Sequence, residues 1–486
     1  MIFKLKKILF KSSGTRQTVA KNFFWLITSQ IGTRLLRALV IVYAARVLGT
    51  AEYGVFSYVI GLAGFFTVFA DIGINTILTK EAAANPEKSH NLFATSFWIK
   101  IVLLIFTALL IIFVAPYFSK IEGVGALLYF AALLTIFDGV REFAAAFFRS
   151  QEKMELEALI TTVTNIAITI FGFIILNSMP TAKALAATYA ISAGTGTILG
   201  IFILRDQFKN LIGGFRKELL APILQLAWPI AIVSLAGIFM LNMDVIMLGA
   251  LKAAKDVGLY SASQKIIQLL YTLPSILAIS LFPTMAKFIG QNNTEKTREI
   301  MERGVILSML FAVPIVVGGF ALGSDIIRFL YGEDYIGTIP TFRILLLSIL
   351  LVFPGYHFTN YIMAYNKQKK MILIILMSSL ANIFLNYILI PIYGAAGAAI
   401  ATLGALLTIH GLSWRLAKKT NNFFIFRHLK KILATSILMG LFSLALHWLG
   451  VYVLVNIAMS VFLYFAVLLF LGENSIKEVK QLFKKA

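Results

Sequence analysis

The stretch NFFWLITSQIGTRLLRALVIVYAAR, residues 22–46, decides the fold. It is long and largely apolar, yet it carries Arg34 and Arg37 near its centre. Crossing a bilayer's hydrocarbon core takes about 20 such residues in a helix. A helix is required because lipid offers no partner to an unpaired backbone N–H or C=O. The preceding basic residues Lys4, Lys6, Lys7 and Lys11 resemble the start of a signal peptide. The apolar region is too long for one, however, and it holds two arginines.

Similar stretches follow at 54–79, 92–116, 124–148, 157–178, 184–204, 222–250, 257–285, 304–323, 341–363, 371–392, 395–414, 432–449 and 451–471. With the first they make about fourteen predicted spans, which need roughly 280 residues of a 486-residue chain. Composition agrees. Hydrophobic residues make up 59% and charged residues 13%, against about 25% charged in soluble proteins. An ordinary soluble enzyme and a disordered chain are both excluded. The fold class is therefore an all-α polytopic membrane protein. No cysteine is present, so disulfides and thiolate metal sites are absent. No Walker-type phosphate loop occurs, and no segment between spans is long enough for a nucleotide-binding domain. Neither a metal, a cofactor nor catalytic activity is expected.

Alternate loops share the basic residues very unequally, 31 Lys and Arg on one side against 6 on the other. Such a bias marks the cytoplasmic face. It predicts that both termini are cytoplasmic in a multi-pass plasma-membrane protein. It also accounts for the net charge of +21 without a nucleic-acid partner. Residues 476–486, with Lys477, Lys480, Lys484 and Lys485, read as a basic amphipathic helix on the inner surface.

The chain repeats itself. Glu52-Tyr-Gly54-Val-Phe56-Ser57 aligns with Asp256-Val-Gly258-Leu-Tyr260-Ser261 at an offset of 204. Gln151-Glu-Lys153-Met154 aligns with Gln368-Lys-Lys370-Met371 at 217, where Asn165 also meets Asn382. The order suggests two parallel six-helix lobes, 1–204 and 222–414, joined by a cytoplasmic linker at 205–221. Residues 415–486 add two helices and the basic tail. Gly196 and Gly200 form a small-residue packing face. Pro229, Pro274, Pro314 and Pro354 fall within second-lobe spans as kinks, either static or hinge-forming.

Charges inside the spans carry the functional reading. Arg34 lies midway between Lys21 and Arg46, near the bilayer centre. A central arginine costs about 2.5–3.5 kcal/mol on insertion scales, so it needs a cavity or a partner. Arg37, one turn on, shares its face. Two guanidiniums so placed suit a phosphate or pyrophosphate; pairing with Asp71 is the structural alternative. Arg141 and Lys265 are further candidates for a cationic cavity. Asp71, Asp138, Glu142 and Asp244 are candidates for ion coupling or charge pairing, with Asp138, Arg141 and Glu142 spaced to satisfy one another. Lys100 and Arg343 lie nearer span ends, where snorkelling is expected. His357 reads as structural.

The segment ARVLGTAEYGVFS at 45–57, with Asp71-Ile-Gly73 and Lys80-Glu81, resembles the start of polysaccharide-export flippases of the multidrug/oligosaccharidyl-lipid/polysaccharide exporter superfamily. The stretch LYGEDYI at 330–336, followed by Arg343-Ile-Leu345, is similar to that family as well. The resemblance implies a two-lobed helical protein working by alternating access. Its activity would be to move a polyprenyl-(pyro)phosphate-linked oligosaccharide from the cytoplasmic to the outer leaflet, with H⁺ or Na⁺ as coupling ion. Membrane lipids and the lipid-linked oligosaccharide would be its partners. The roles given to Arg34, Arg37 and the other charges rest on charge and depth, not on a family motif. A lipid-linked peptidoglycan precursor flippase and a multidrug exporter are the alternatives within the superfamily. Midplane arginines disfavour cationic drugs. A membrane-embedded glycan polymerase or ligase would want a larger outward loop than these.

Overall fold

A computed structural model describes residues 15–424 and 429–472. The basic residues before Thr15 and the amphipathic tail expected at 476–486 lie outside that range. The described residues form helices and connecting turns, with no strand among them. The chain is an all-α polytopic membrane protein. Eleven helical segments are long and apolar enough to cross a bilayer, or twelve when a bent pair is taken as one span.

Fourteen were expected, and two of the observed segments are broken helices. The first helix, α1, runs from Thr15 to Ala70. Straight, its 56 residues would reach about 84 Å, far beyond a hydrocarbon core of about 30 Å. It breaks at Gly49, with φ 71° and ψ 176°. A side chain rarely adopts a positive φ of this kind, so glycine permits the break. Gln368–Thr420 breaks in the same way at Gly394, with φ 55°.

Contacts divide the chain into two compact units, Met1–Gly258 and Leu259–Ala486. In the first unit α1 is followed by α2 (Ile74–Ala84), α3 (Ser89–Leu109), α4 (Val124–Ser150), α5 (Met154–Ser178), α6 (Ala182–Ile203) and α7 (Leu220–Leu251). Helix α5 packs on α1 and α6, and α6 on α4. Helix α7 lies against α1, so this unit extends past the 205–221 segment at which the repeat divides the sequence. Lys217–Ile232, which starts in the turn before α7, and Gly237–Leu251 meet at 53°.

Helix α4 shows how sequence sets the packing. Phe143 and Phe147 are buried with Phe93, Ile74 and Leu78 in an apolar cluster. The Phe93 and Phe147 rings lie 4.7 Å apart, edge to face. That face fixes α4 against α2 and α3 and turns Asp138, Arg141 and Glu142 the other way. Gly196 lets α6 approach: a Cβ there would lie 1.9 Å from Thr164 Oγ1 and 3.0 Å from the Ile160 carbonyl. Two other close approaches mirror each other. A Cβ on Gly54 would stand 1.8 Å from the Ala254 carbonyl oxygen, and one on Gly258 2.0 Å from that of Thr50.

The second unit contains Thr272–Gly290, Thr294–Tyr331, Ile339–Leu347, Ile349–Ala364, Gln368–Thr420, Leu429–Trp448 and Val453–Phe470. Pro314 and Pro354 sit inside helices. Pro274 lies in the first turn of its helix, where a missing N–H breaks no helical bond. His357 is buried, and its Nε2 lies 2.8 Å from Ser308 Oγ. It is a satisfied core residue.

Candidate functional site: a basic cavity in the first unit

A cavity of about 730 Å³ opens within the first unit. Helix α1 lines it with Gln30, Thr33, Arg34 and Arg37, the i, i+3, i+4, i+7 stripe of one helical face. Helix α4 contributes Asp138, Arg141, Glu142 and Arg149; α5 contributes Thr161 and Asn165. Asp71, Asn75 and Lys100 close one side, and Ser234 and Ile238 of α7 another. Five cationic and three acidic side chains line the space, a net excess of two positive charges.

The charges divide into two groups. Arg141 is buried, at 5% exposure, and saturated. Its Nη2 lies 3.0 Å from Asp138 Oδ1 and 2.9 Å from Glu142 Oε1. Its Nε donates to Asp138 Oδ1 at 3.1 Å and its Nη1 to Thr161 Oγ1 at 3.3 Å. The local pairing that the spacing allowed is the one that forms.

Lys100 does not snorkel. It is 1% exposed, and its Nζ lies 3.3 Å from Asp71 Oδ1. Asp71 follows the end of α1 and also accepts from the backbone N–H of Asn75 at 3.1 Å. Packing brings the Asp71 carboxylate to the buried ammonium, which would otherwise be left as an uncompensated charge. Asp71 is thus a partner of Lys100. Arg149, which the sequence places in a loop, also reaches the cavity and pairs with Glu157 at 3.5 Å.

Arg34 and Arg37 form the other group. Both are exposed side chains on the cavity wall. Arg37 has no carboxylate at ion-pair distance among the described residues; its Nε donates to the neutral amide of Asn165 at 3.0 Å. The structure therefore brings together Arg34, Arg37, Arg141, Asp71, Asp138 and Glu142. It places two other candidates elsewhere. Asp244 is buried on α7 outside the cavity lining. Lys265 belongs to the second unit and is half-buried. Arg343, expected to snorkel, is half-buried in that unit with its Nε shielded from solvent.

The profile of the family described as "polysaccharide biosynthesis protein" matches residues 19–289, more than half of the chain. The chain belongs to the polysaccharide biosynthesis protein family. A second profile, MatE, matches residues 229–388. One relative of this family member is the "Probable low-salt glycan biosynthesis flippase Agl15" of Haloferax volcanii, 22% identical over 79% of this chain and 80% of that protein. Another is the capsular polysaccharide biosynthesis protein CapF of Staphylococcus aureus, 20% identical over 79% of this chain and 95% of that protein. A solved structure of the lipid II flippase MurJ, in an inward closed conformation, superposes with a TM-score of 0.72. It covers 92% of this chain and 98% of its own, at 16% identity. At that identity the likeness establishes the fold.

Proposed function

We propose that this protein is a flippase for a polyprenyl-(pyro)phosphate-linked oligosaccharide, moved from the cytoplasmic to the outer leaflet for cell-surface polysaccharide synthesis. The observation that carries the reading is the basic cavity. Its acids are taken up by Lys100 and Arg141, while Arg34 and Arg37 share one helical stripe on its wall. In this reading those two arginines hold the (pyro)phosphate, the sugars cross in the wet cavity, and the prenyl chain stays in lipid. Arg141, saturated by two carboxylates, shapes the wall rather than gripping the anion. The names of the curated relatives support the substrate class.

Both termini face the cytoplasm in this account, by the basic-loop bias. Counting the two segments broken at Gly49 and Gly394 as two spans each, with the bent pair as one, raises twelve to fourteen. The reciprocal contacts of Gly54 with Ala254 and Gly258 with Thr50 support a duplicated chain, since Gly54 and Gly258, like Thr50 and Ala254, stand 204 residues apart. The lobes would then be 1–204 and 222–414. A coupling ion, H⁺ or Na⁺, would drive the cycle, with Asp71 or Asp244 as the carboxylates to test.

The experiment is translocation of a fluorescent polyprenyl-pyrophosphate oligosaccharide in proteoliposomes, comparing wild type with Arg34→Ala and Arg37→Ala. Loss of transfer in the variants, with normal insertion, supports the reading; full transfer overturns it. The fold shared with MurJ favours a peptidoglycan precursor as the second substrate to try, since it presents the same phosphate chemistry.

A further inference from the structure

Arg37 on the cavity wall faces a physical difficulty. An exposed arginine has many rotamers, and binding an anion must freeze them at a cost of up to about 2 kcal/mol. A carboxylate neighbour would fix the side chain but would also cancel its charge and compete with the anion. Arg141 shows that arrangement, held by Asp138 and Glu142. Arg37 shows the other. Its Nε donates to Asn165 Oδ1 at 3.0 Å, and Asn165 is uncharged.

Asn165 is itself immobilised. It is 2% exposed on α5, and its Nδ2 donates to the Thr161 carbonyl oxygen at 2.8 Å. Its amide orientation is therefore set by its own helix, with Oδ1 turned toward Arg37. One turn earlier, Thr161 Oγ1 accepts from Arg141. A single helix thus fixes guanidiniums that arrive from α1 and α4.

We propose that Asn165 is a positioning residue for anion binding: it anchors Arg37 through Nε and leaves both Nη groups, with four N–H donors and the full positive charge, for a phosphate oxygen in the cavity. The proposal rests on the phosphate-cavity reading above and names the residue that makes that cavity competent. An amide suits this role, because it accepts a hydrogen bond without supplying a counter-charge.

The test uses the purified full chain in detergent, with inorganic pyrophosphate as the probe and calorimetric titration as the readout. Asn165→Leu should weaken pyrophosphate binding about tenfold, the worth of one hydrogen bond to a charged group. Arg37→Ala/Asn165→Leu should bind no more weakly than Arg37→Ala, because Asn165 acts through Arg37. Asn165→Asp separates positioning from packing. It should leave the unfolding midpoint at or above that of wild type, because a new ion pair with Arg37 replaces the hydrogen bond, yet it should also weaken pyrophosphate binding. A purely structural asparagine would leave binding intact in any variant that folds. Wild-type binding by Asn165→Leu or Asn165→Asp, or a Leu effect that adds fully to that of Arg37→Ala, overturns the proposal while leaving the phosphate cavity standing. Wild-type binding by Arg37→Ala overturns both.

Discussion

Removing either partner of the Lys100–Asp71 pair should destabilise the first unit, but unequally. The Lys100 side chain is 2% exposed and the Asp71 side chain 33% exposed. Asp71→Asn keeps an acceptor for the Asn75 N–H and strands an ammonium in a dry site. Breaking a buried pair this way costs about 3–5 kcal/mol. Lys100→Met removes the buried charge and leaves a carboxylate that the cavity can hydrate. Its cost should fall well below that range, to about 1–2 kcal/mol, because a partly solvated charge retains much of its hydration. The double variant Lys100→Met/Asp71→Asn removes both charges and should be more stable than Asp71→Asn alone. Thermal unfolding in detergent, followed by the fraction remaining monodisperse, ranks the four proteins. The predicted order is wild type, then Lys100→Met, with Asp71→Asn lowest and the double variant above it. If Lys100→Met falls below Asp71→Asn, or if the double variant is no better than Asp71→Asn, the burial argument is wrong.

Other substitutions probe packing. Gly196→Ala should cost about 1–3 kcal/mol through overpacking, because its new Cβ would fall 1.9 Å from Thr164 Oγ1; unfolding midpoints read the loss, with Gly125→Ala, which meets nothing within 4 Å, as the neutral control. Gly54→Ala and Gly258→Ala should each lower the midpoint, since both would press on a backbone carbonyl within 2.0 Å. Ser308→Ala should leave His357 without its 2.8 Å partner and cost about 1–3 kcal/mol, while translocation by the folded fraction stays unchanged.

The helical membrane fold is legible in the sequence because lipid imposes one demand, an apolar helix of spanning length, and composition answers it directly. The span count is less legible than the fold class: fourteen apolar stretches are read from the sequence, and eleven or twelve spanning segments are seen in the structure. At Gly49 and Gly394 the backbone leaves helical φ/ψ for a single residue, so two helices run on from one another with no loop between them. Depth in a span was enough to mark Arg34 and Arg37. It was not enough to say which face a charge occupies. Asp244 and Lys265 sit in spans as deeply as residues that line the cavity, yet neither lines it. The burial of Lys100 is hidden for a related reason: the sequence shows its distance to the span end, whereas the carboxylate of Asp71 comes into reach through packing of α3 beside the end of α1. Arg149 reads as a loop residue because it lies at the end of its span. Asn165 gave a weak signal through its match to Asn382, but a polar side chain inside a span is as often packing glue as a site, and its bond to Arg37 depends on how α1 crosses α5.

The central claim is that Arg34 and Arg37 make the cavity a carrier for phosphate-linked glycans. Transfer of a fluorescent polyprenyl-pyrophosphate oligosaccharide across proteoliposome membranes tests it most directly, with wild type beside Arg34→Ala/Arg37→Ala at matched insertion. Transfer by wild type and background transfer by the double variant is the predicted result. Equal transfer by the two proteins would contradict it.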